Sequence, residues 1–403
     1  MYCILNKALA SATSASYPTS EARVIRTSAL TLLLLCLGHF FIDLYSSALG
    51  AFQPLLVTQL GLSLRQAGII GGVLIFFSSV MQPLYGYLSD RLHTRMFTVL
   101  APIVAGVFIS SLGLAPSFWA VLPMVALGGA GIASFHPQAS AWASEGPATN
   151  KAQWMAVFIS AGTLGMALGP TYFSSILAAS GLRGAWWASL PGAGVTVVLL
   201  ISLKLGPAPQ TRPSRSIDWE PLKAVWRPLT IHYFLVFIRS IIQITFTQML
   251  PLYLFRERGF NVQNSSYALT LYLFCGALGG FLGGHLADRF GGRTVIKISM
   301  LGSVPFLALF FLTDGIASLV GLALGGFLLL FTIPVNVVMA QELAPGQAGT
   351  ISALMMGFAW GMAGLIFIPL VGYVSDLTSL HTALFALILA PIIGFFLTFR
   401  LPR

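Results

Sequence analysis

Long apolar segments alternate with short polar segments along almost the whole chain. The apolar runs are unbroken rather than alternating every second residue, and they reach the roughly 20 residues that a helix needs to cross a bilayer. A helix also satisfies its own backbone hydrogen bonds, as lipid requires. The pattern therefore predicts twelve transmembrane helices, at 28–58, 64–88, 96–115, 119–143, 151–179, 185–205, 229–255, 264–288, 293–313, 316–341, 348–375 and 380–400.

The composition agrees with this class. Of the 403 residues, 57% are apolar and only 8% are charged. So few charges cannot cover a water-soluble surface of this size. We therefore expect an all-α integral membrane protein whose outer surface contacts the lipid bilayer.

Two polar stretches predict the domain boundaries. Residues 1–27 are rich in Ser, Ala and Thr and lack a long apolar core, so we expect a disordered cytoplasmic tail rather than a cleaved signal peptide. Residues 206–228 contain five prolines and four basic residues, which predicts a solvated, semi-stiff cytoplasmic linker. The linker would separate an N-terminal six-helix bundle at 28–205 from a C-terminal bundle at 229–403.

A charged loop occurs twice, and its two copies share Gly, Asp, Arg and Arg at the same spacing, 198 residues apart. Other positions repeat at an offset of 197 or 198. Each half has an even number of spans, so we expect a parallel duplication with a cavity between the halves. The repeated residues are Gly86, Asp90, Arg91 and Arg95 with Gly284, Asp288, Arg289 and Arg293, and Pro54, Gly61, Pro137 and Glu145 with Pro251, Gly259, Pro334 and Glu342.

The positive charge predicts an orientation and not a nucleic-acid partner. The formal net charge is +10, but the basic residues lie in short loops between apolar runs. If both termini are cytoplasmic, 16 of the 21 Lys and Arg residues are inside, 4 are outside and Arg239 lies within a span. Cys3, Cys36 and Cys275 have no disulfide or metal spacing, so no metal is predicted.

Twelve spans, a duplicated half and Gly-x-x-x-Asp-Arg loops after the second and eighth spans resemble the major facilitator superfamily. The resemblance implies two pseudo-symmetric six-helix bundles, a central cavity lined by spans one, four, seven and ten, and a monomer. The first loop departs from the usual pattern, because His93 stands where the second copy has Gly291.

A closer resemblance is to the fosmidomycin-resistance branch of efflux proteins. It is carried by Gly38-His39-x-x-x-Asp43, Phe135-His136-Pro137, Gln341-Glu342-Leu343-x-Pro345-Gly346 and Gly357-Phe358-Ala359-x-Gly361-Met362. In addition, Gly165, Gly169 and Pro170 resemble the antiporter motif of the superfamily, which implies export. Small residues at this spacing are also common wherever membrane helices pack closely.

The repeated charges suggest conformational latches on the cytoplasmic side. Gly86 and Gly284 allow a neighbouring helix to approach, and a carboxylate at Asp90 or Asp288 can meet the N-terminus of an entering helix. We expect Arg91 or Arg95 to pair with Glu145, and Arg289 or Arg293 with Glu342, when that side is closed. The alternative is that these charges only fix the topology.

Ionisable residues present in one half only are better candidates for the transport site, because such groups are costly at bilayer depth. At the repeat offset, His39 and Asp43 correspond to Val236 and Ser240. Helical spacing forms two polar stripes, and other spans add polar or aromatic residues. The first stripe is His39, Asp43, Ser46, Gly50 and Gln53, the second is His232, Arg239, Gln243 and Thr247, and the others are His136, Asn336 and Trp360.

These residues predict a proton and substrate site. Asp43 would be the protonatable carboxylate, His39 would share or relay its proton, and Arg239 would attract an anionic group or pair with Asp43 when the site is empty. The alternative is a static hydrogen bond that only stabilises the bundle. His136 precedes Pro137, so its imidazole could instead satisfy backbone groups that the proline frees.

The function predicted from these features is proton-coupled efflux of a small, anionic drug or metabolite such as fosmidomycin, by alternating access at the plasma membrane. Proton-symport uptake is the alternative within transport. An enzyme is disfavoured because neither a His-Glu-x-x-His sequence nor a nucleophile motif is present, and no Walker motif or other cofactor signature occurs. A receptor or scaffold would explain the repeat but not the unpaired buried charges.

Overall fold

A computed structural model describes residues 20–92, 94–143, 151–203 and 219–401, and these ranges are helical without a β-strand. Eleven of the described helices are long and apolar enough to cross a membrane. One of them, Gln153–Ser202, has 50 residues, about twice the length that one crossing needs. The chain turns inside it, at Gly181 with φ 68° and at a short 3₁₀ segment, Ala185–Ser189. The prediction of twelve crossings is confirmed.

The twelve spans are numbered α1–α12 in chain order. They are α1 Ala29–Leu60, α2 Leu64–Ser89, α3 Met96–Leu114, α4 Phe118–Ala143, α5 Lys151–Gly184, α6 Leu190–Ser202, α7 Trp226–Glu257, α8 Val262–Phe290, α9 Gly292–Leu312, α10 Gly315–Leu343, α11 Pro345–Leu377 and α12 Leu380–Arg400.

The predicted tail and the predicted linker each contain a helical part, and the rest of each lies outside the described residues. The helix of α1 extends back to Ser20, into the predicted tail, whose residues 1–19 lie outside the described part. Within the predicted linker a short helix, Trp219–Ala224, precedes α7, and residues 204–218 are outside the described part. The proposed domain boundaries therefore stay predictions.

The repeated glycines after α1 and α7 have a backbone reason. Gly61 and Gly259 both adopt a left-handed conformation, with φ of 60° and 69°. A residue with a Cβ is strained there, whereas glycine is not, and glycine commonly ends helices in this way. Glycine therefore occurs at both repeated positions because it ends the first helix of each half in a left-handed conformation.

Among the described residues, the main contacts between the two six-helix halves lie toward one face. We call the face where α1 begins and α12 ends the terminal face, and the other the opposite face. Near the opposite face, α2 packs on α11, α5 packs on α8, and the second part of α1 packs on α7. Thr171 and Thr270 share a hydrogen bond of 2.8 Å across the α5–α8 contact. Within the described residues, α4 and α10 make no comparable contact with the other half, so the halves are separate toward the terminal face.

A glycine line lets α5 approach α1. A Cβ built on Gly165 would collide with the backbone of Phe40, and one on Gly169 would collide with Leu44 and Ser47. The antiporter-like motif therefore has a packing role, because only a residue without a side chain permits this helix spacing.

Replacing Gly165 tests this packing. We expect Gly165→Val to lower the free energy of unfolding by roughly 1–3 kcal/mol, since the side chain overpacks the α1–α5 contact. Thermal unfolding in detergent measures the change. Gly194→Val is the control, because nothing lies within 4 Å of a Cβ on Gly194 of α6. An equal loss of stability in both variants would contradict the packing argument.

Candidate functional site

Three ionisable side chains meet at the contact of α1, α4 and α5. His39 Nε2 lies 3.3 Å from one carboxylate oxygen of Asp43, and His136 Nε2 lies 3.5 Å from the other. Asp43 is only 8% exposed and His39 is also buried. We call these three residues the His–Asp–His cluster. One ligand atom from each residue lies within 4.8 Å of the others, which is close enough for the three to coordinate a single cation.

The second nitrogen of His39 is committed to the backbone. Its Nδ1 lies 2.8 Å from the carbonyl oxygen of Phe158 on α5. A carbonyl can only accept, so Nδ1 must carry a proton and donate it. When His39 is neutral, its Nε2 therefore presents a lone pair toward the carboxylate of Asp43. That contact is attractive only if a proton resides on His39 Nε2 or on Asp43.

The approach of α5 positions these groups. The Phe158 ring stacks on the His39 ring with centroids 4.2 Å apart. A Cβ on Gly162 would collide with both His39 Nε2 and Asp43 Oδ2, so this glycine provides the space that the pair occupies. Four residues after Asp43 the helix of α1 is interrupted, and Ser46 Oγ donates to the Asp43 carbonyl at 2.7 Å.

Arg239 on α7 is a buried cation without a carboxylate partner among the described residues. The side chain is 5% exposed. One guanidinium nitrogen donates to Gln243 Oε1, another donates to Ser240 Oγ at 3.1 Å, and Nε has no partner. The structure does not bring Arg239 to Asp43, so the pair expected for an empty site is absent in this conformation.

The other predicted site residues lie at several places. Asn336 on α10 contacts His232 on α7, with Oδ1 3.1 Å from the imidazole Nδ1, while its Nδ2 is buried without a partner. Gln53 donates to the Ala67 carbonyl at 3.3 Å, which joins α1 to α2 near the opposite face. Trp360 is partly buried and follows a π-helical segment, Ala353–Ala359, in α11.

The repeated loop glycines pack against the repeated prolines. A Cβ on Gly86 would lie 3.4 Å from Pro137, and one on Gly284 would lie 3.6 Å from Pro334. Thus α2 approaches α4 in the first half as α8 approaches α10 in the second. These four residues repeat because they make the same helix contact twice.

The charged residues of the first predicted latch are only partly described. Glu145 and His93 lie outside the described residues, as does the side chain of Asp90. The Arg95 guanidinium lies 3.8 Å from the centroid of the Trp142 ring, and Arg91 donates to Tyr87 Oη at 3.4 Å. The pairing of Arg91 or Arg95 with Glu145 therefore stays a prediction.

In the second predicted latch, the arginines contact other groups. Arg293 donates to the Phe399 carbonyl at 2.9 Å, and Arg289 lies over the Phe290 ring. Asp288 and Glu342 are exposed, and neither forms an ion pair in the described part of the chain. The halves are separate at this face, whereas the latch was expected for a closed face, so this conformation does not test it.

Sequence reasoning missed the contribution of α5 to the site. Phe158 acts through its backbone carbonyl and its ring face, and neither has a residue-specific signal. Gly162 precedes the recognised Gly165 and Gly169 on the same helix, so the spacing of these glycines was the signal that could have found it.

Comparisons with known proteins agree with this architecture. The chain belongs to the Major Facilitator Superfamily, whose family model matches residues 35–368. It is 32% identical to an uncharacterized MFS-type transporter, YfnC, of Bacillus subtilis strain 168, covering 92% of each chain. It is 30% identical to the fosmidomycin resistance protein of Escherichia coli K12, covering 94% of each chain.

Solved structures agree at the level of the fold. A bacterial homolog of the human lysosomal transporter Spinster, in an inward-facing and occupied conformation, aligns with a TM-score of 0.74 at 16% identity, covering 92% of this chain and 96% of that one. The protein is therefore a multi-pass membrane transporter of small molecules and not an enzyme.

The tautomer of His39 can be tested directly. We expect neutral His39 to carry its proton on Nδ1, because the Phe158 carbonyl accepts it. Nitrogen NMR of histidine-labelled protein distinguishes the two tautomers, and His39→Gln assigns the signal. Solvent-exposed His285 serves as the internal reference. Detection of neutral His39 only with a proton on Nε2 would contradict the site geometry.

Proposed function

We propose that this protein exports a small organic anion across the plasma membrane in exchange for protons, by alternating access. The observation that carries the proposal is the His–Asp–His cluster, in which Asp43 lies between two imidazoles and His39 is tied to the Phe158 carbonyl. Because the His39–Asp43 contact requires a bound proton, loss of that proton changes the energy of the contact. Such a group can couple protonation to a conformational change.

The anionic substrate class rests on Arg239. A cation buried in a membrane protein is costly unless it is paired, and in the described residues this one has only neutral partners. An anionic group of the substrate would supply the missing countercharge. The Escherichia coli relative is named for resistance to fosmidomycin, a phosphonate, which fits an anion of this kind. Gln243, Asn336, His136, Gln53 and Trp360 would complete the site.

Orientation and direction complete the proposal. The excess of Lys and Arg at the terminal face favours cytoplasmic termini, since positive loops stay inside. The separated face would then be cytoplasmic, where an exporter collects its substrate. The antiporter-like Gly165, Gly169 and Pro170 favour export, and proton-symport uptake is the alternative. The charged latches, Arg91 and Arg95 with Glu145 and Arg289 and Arg293 with Glu342, would close this face once substrate is bound.

The coupling role of Asp43 can be tested in proteoliposomes. We expect Asp43→Asn to lower fosmidomycin transport driven by an imposed pH gradient by at least about tenfold, because an amide cannot release a proton. Exchange of labelled for unlabelled substrate without a gradient should persist, since it needs no net proton movement.

Asp314→Asn is the matched control for that experiment. Asp314 is a largely exposed carboxylate paired with Arg258 at 2.6 Å, far along the chain from the cluster. We expect it to transport at the wild-type rate. Gradient-driven transport that persists at full rate in Asp43→Asn would remove this carboxylate from the mechanism, and the sign of the gradient that drives transport distinguishes export from uptake.

The role of Arg239 is tested by binding. We expect Arg239→Gln to weaken the binding of an anionic substrate by about 30-fold or more, since a buried charge partner is worth roughly 2–5 kcal/mol. Arg239→Lys should restore part of the affinity because it keeps the charge. Tryptophan-fluorescence titration of purified protein with fosmidomycin and with sugar phosphates provides the measurement. Equal affinity in the wild type and Arg239→Gln would refute the anion site.

A further inference from the structure

The Gly-x-x-x-Asp spacing of the repeated loop occurs a third time, at the other end of the molecule. Gly372 and Asp376 lie in the last two turns of α11, in the sequence Gly-Tyr-Val-Ser-Asp. The first two copies end α2 and α8 at the terminal face, whereas this copy ends α11 at the opposite face. It has no counterpart at the repeat offset, where Ala179 stands instead of Asp376.

The carboxylate of Asp376 binds the other half of the protein. One oxygen accepts from the backbone N–H of Leu64 at 2.8 Å, and the other accepts from the N–H of Arg65 at 2.9 Å. These are the first two residues of α2, and Ser63 Oγ caps the third N–H from within the same half. The N-terminus of α2 is thus capped jointly by its own serine and by an aspartate from the C-terminal half.

This carboxylate does not serve its own helix. An acidic residue in the last turn of a helix opposes the helix dipole, whereas the same charge at the N-terminus of another helix is stabilising. The electrostatic stabilisation of the Asp376 carboxylate therefore comes from the N-terminus of α2. Arg65 also lies over the ring of Tyr373, 5.7 Å from its centroid, which adds a second contact between the same two helix ends.

Close backbone packing makes the contact possible. A Cβ on Gly372 would collide with the Leu64 carbonyl and lie 3.1 Å from the Cα of Gly68, and one on Gly68 would lie 3.0 Å from the Cα of Pro369. The two helices therefore approach backbone to backbone, and Asp376 reaches the N–H groups of α2 only while that approach persists.

We propose that Asp376 is the latch that holds the opposite face closed. The inference rests on the proposed alternating access, in which that face opens when the halves rotate apart. Opening would separate α2 from α11 and release both N–H groups from the carboxylate. Because Asp376 is solvent-exposed, water replaces the lost bonds, so the latch biases the equilibrium by a few-fold and does not lock it.

Glu257 provides a matched control. Its carboxylate caps α12 in the same bidentate way, accepting from the N–H of Leu380 at 2.7 Å and of His381 at 2.8 Å. It too ends its helix at the opposite face, but both partners belong to the C-terminal half. Removing this cap weakens a bond within one half and leaves the contact between the halves unchanged.

The experiment measures the separation of the halves at the opposite face. Spin labels at Trp119→Cys on α4 and Ile316→Cys on α10 report it, because these residues are 76% and 81% exposed and belong to different halves. Cys3, Cys36 and Cys275 are first replaced by Ala in the full-length protein. Pulsed electron–electron distance measurements in nanodiscs then compare wild type, Asp376→Asn and Glu257→Gln.

We expect Asp376→Asn to raise the ratio of long to short distances by about fivefold, because the amide keeps only one acceptor for the two N–H groups, turns an NH2 donor toward the other and loses the negative charge. Glu257→Gln should leave the ratio at the wild-type value. An unchanged ratio in Asp376→Asn, or an equal shift in both variants, would overturn the latch. The measurement needs neither substrate nor a proton gradient, so failure of proton-coupled export would leave its result interpretable.

Discussion

The structure depends on satisfying polar groups where lipid supplies no hydrogen bonds. Asp43 and His39 are buried in the N-terminal half, so their hydrogen-bond partners must come from the protein, and the half-buried His136 contacts the same carboxylate. The α5 helix supplies one partner through the Phe158 carbonyl, and Gly162, Gly165 and Gly169 allow that helix close enough to do so. The packing of α5 on α1 and the chemistry of the site therefore depend on each other. A wider α1–α5 contact would leave the buried His39 imidazole without the Phe158 carbonyl as its acceptor.

Duplicated and unique residues have different roles. Gly86 with Pro137, and Gly284 with Pro334, make the same contact in each half. In contrast, the position of Asp43 corresponds to Ser240 in the second half, where its hydroxyl accepts from Arg239. One half therefore contains the acidic group and the other contains the basic group. This division supports the proposed use of both halves. A rotation of the halves would change the surroundings of an anion at Arg239 and of a proton at Asp43 together.

The sequence predicted the helices well because the apolar runs are long and the loops between them are polar. The boundary between α5 and α6 was predicted at 179 and 185, whereas α5 ends at Gly184 and α6 begins at Leu190, because the turn at Gly181 and the segment Ala185–Ser189 continue the helical backbone between the two spans. The His39–Asp43 pair followed from helical spacing, because residues four apart lie on the same face of a helix, about one turn from each other. The role of the Phe158 carbonyl could not be predicted, because a backbone acceptor is the same at every residue. The sequence also could not predict whether Arg239 pairs with Asp43, because that pairing depends on the distance between the two halves.

The charged residues at the two faces of the molecule make different kinds of contact in this structure. At the opposite face, a carboxylate on one half accepts from backbone N–H groups on the other, so this contact joins the two halves directly. At the terminal face, Arg293 and Arg289 contact neutral groups in this conformation, and the described acidic residues there remain exposed. A transporter that works by alternating access has two conformations, each closed at one face and open at the other. Their free energies must be nearly equal. Contacts worth roughly 1 kcal/mol each meet that requirement, because a stronger contact at one face would trap the protein with the other face open.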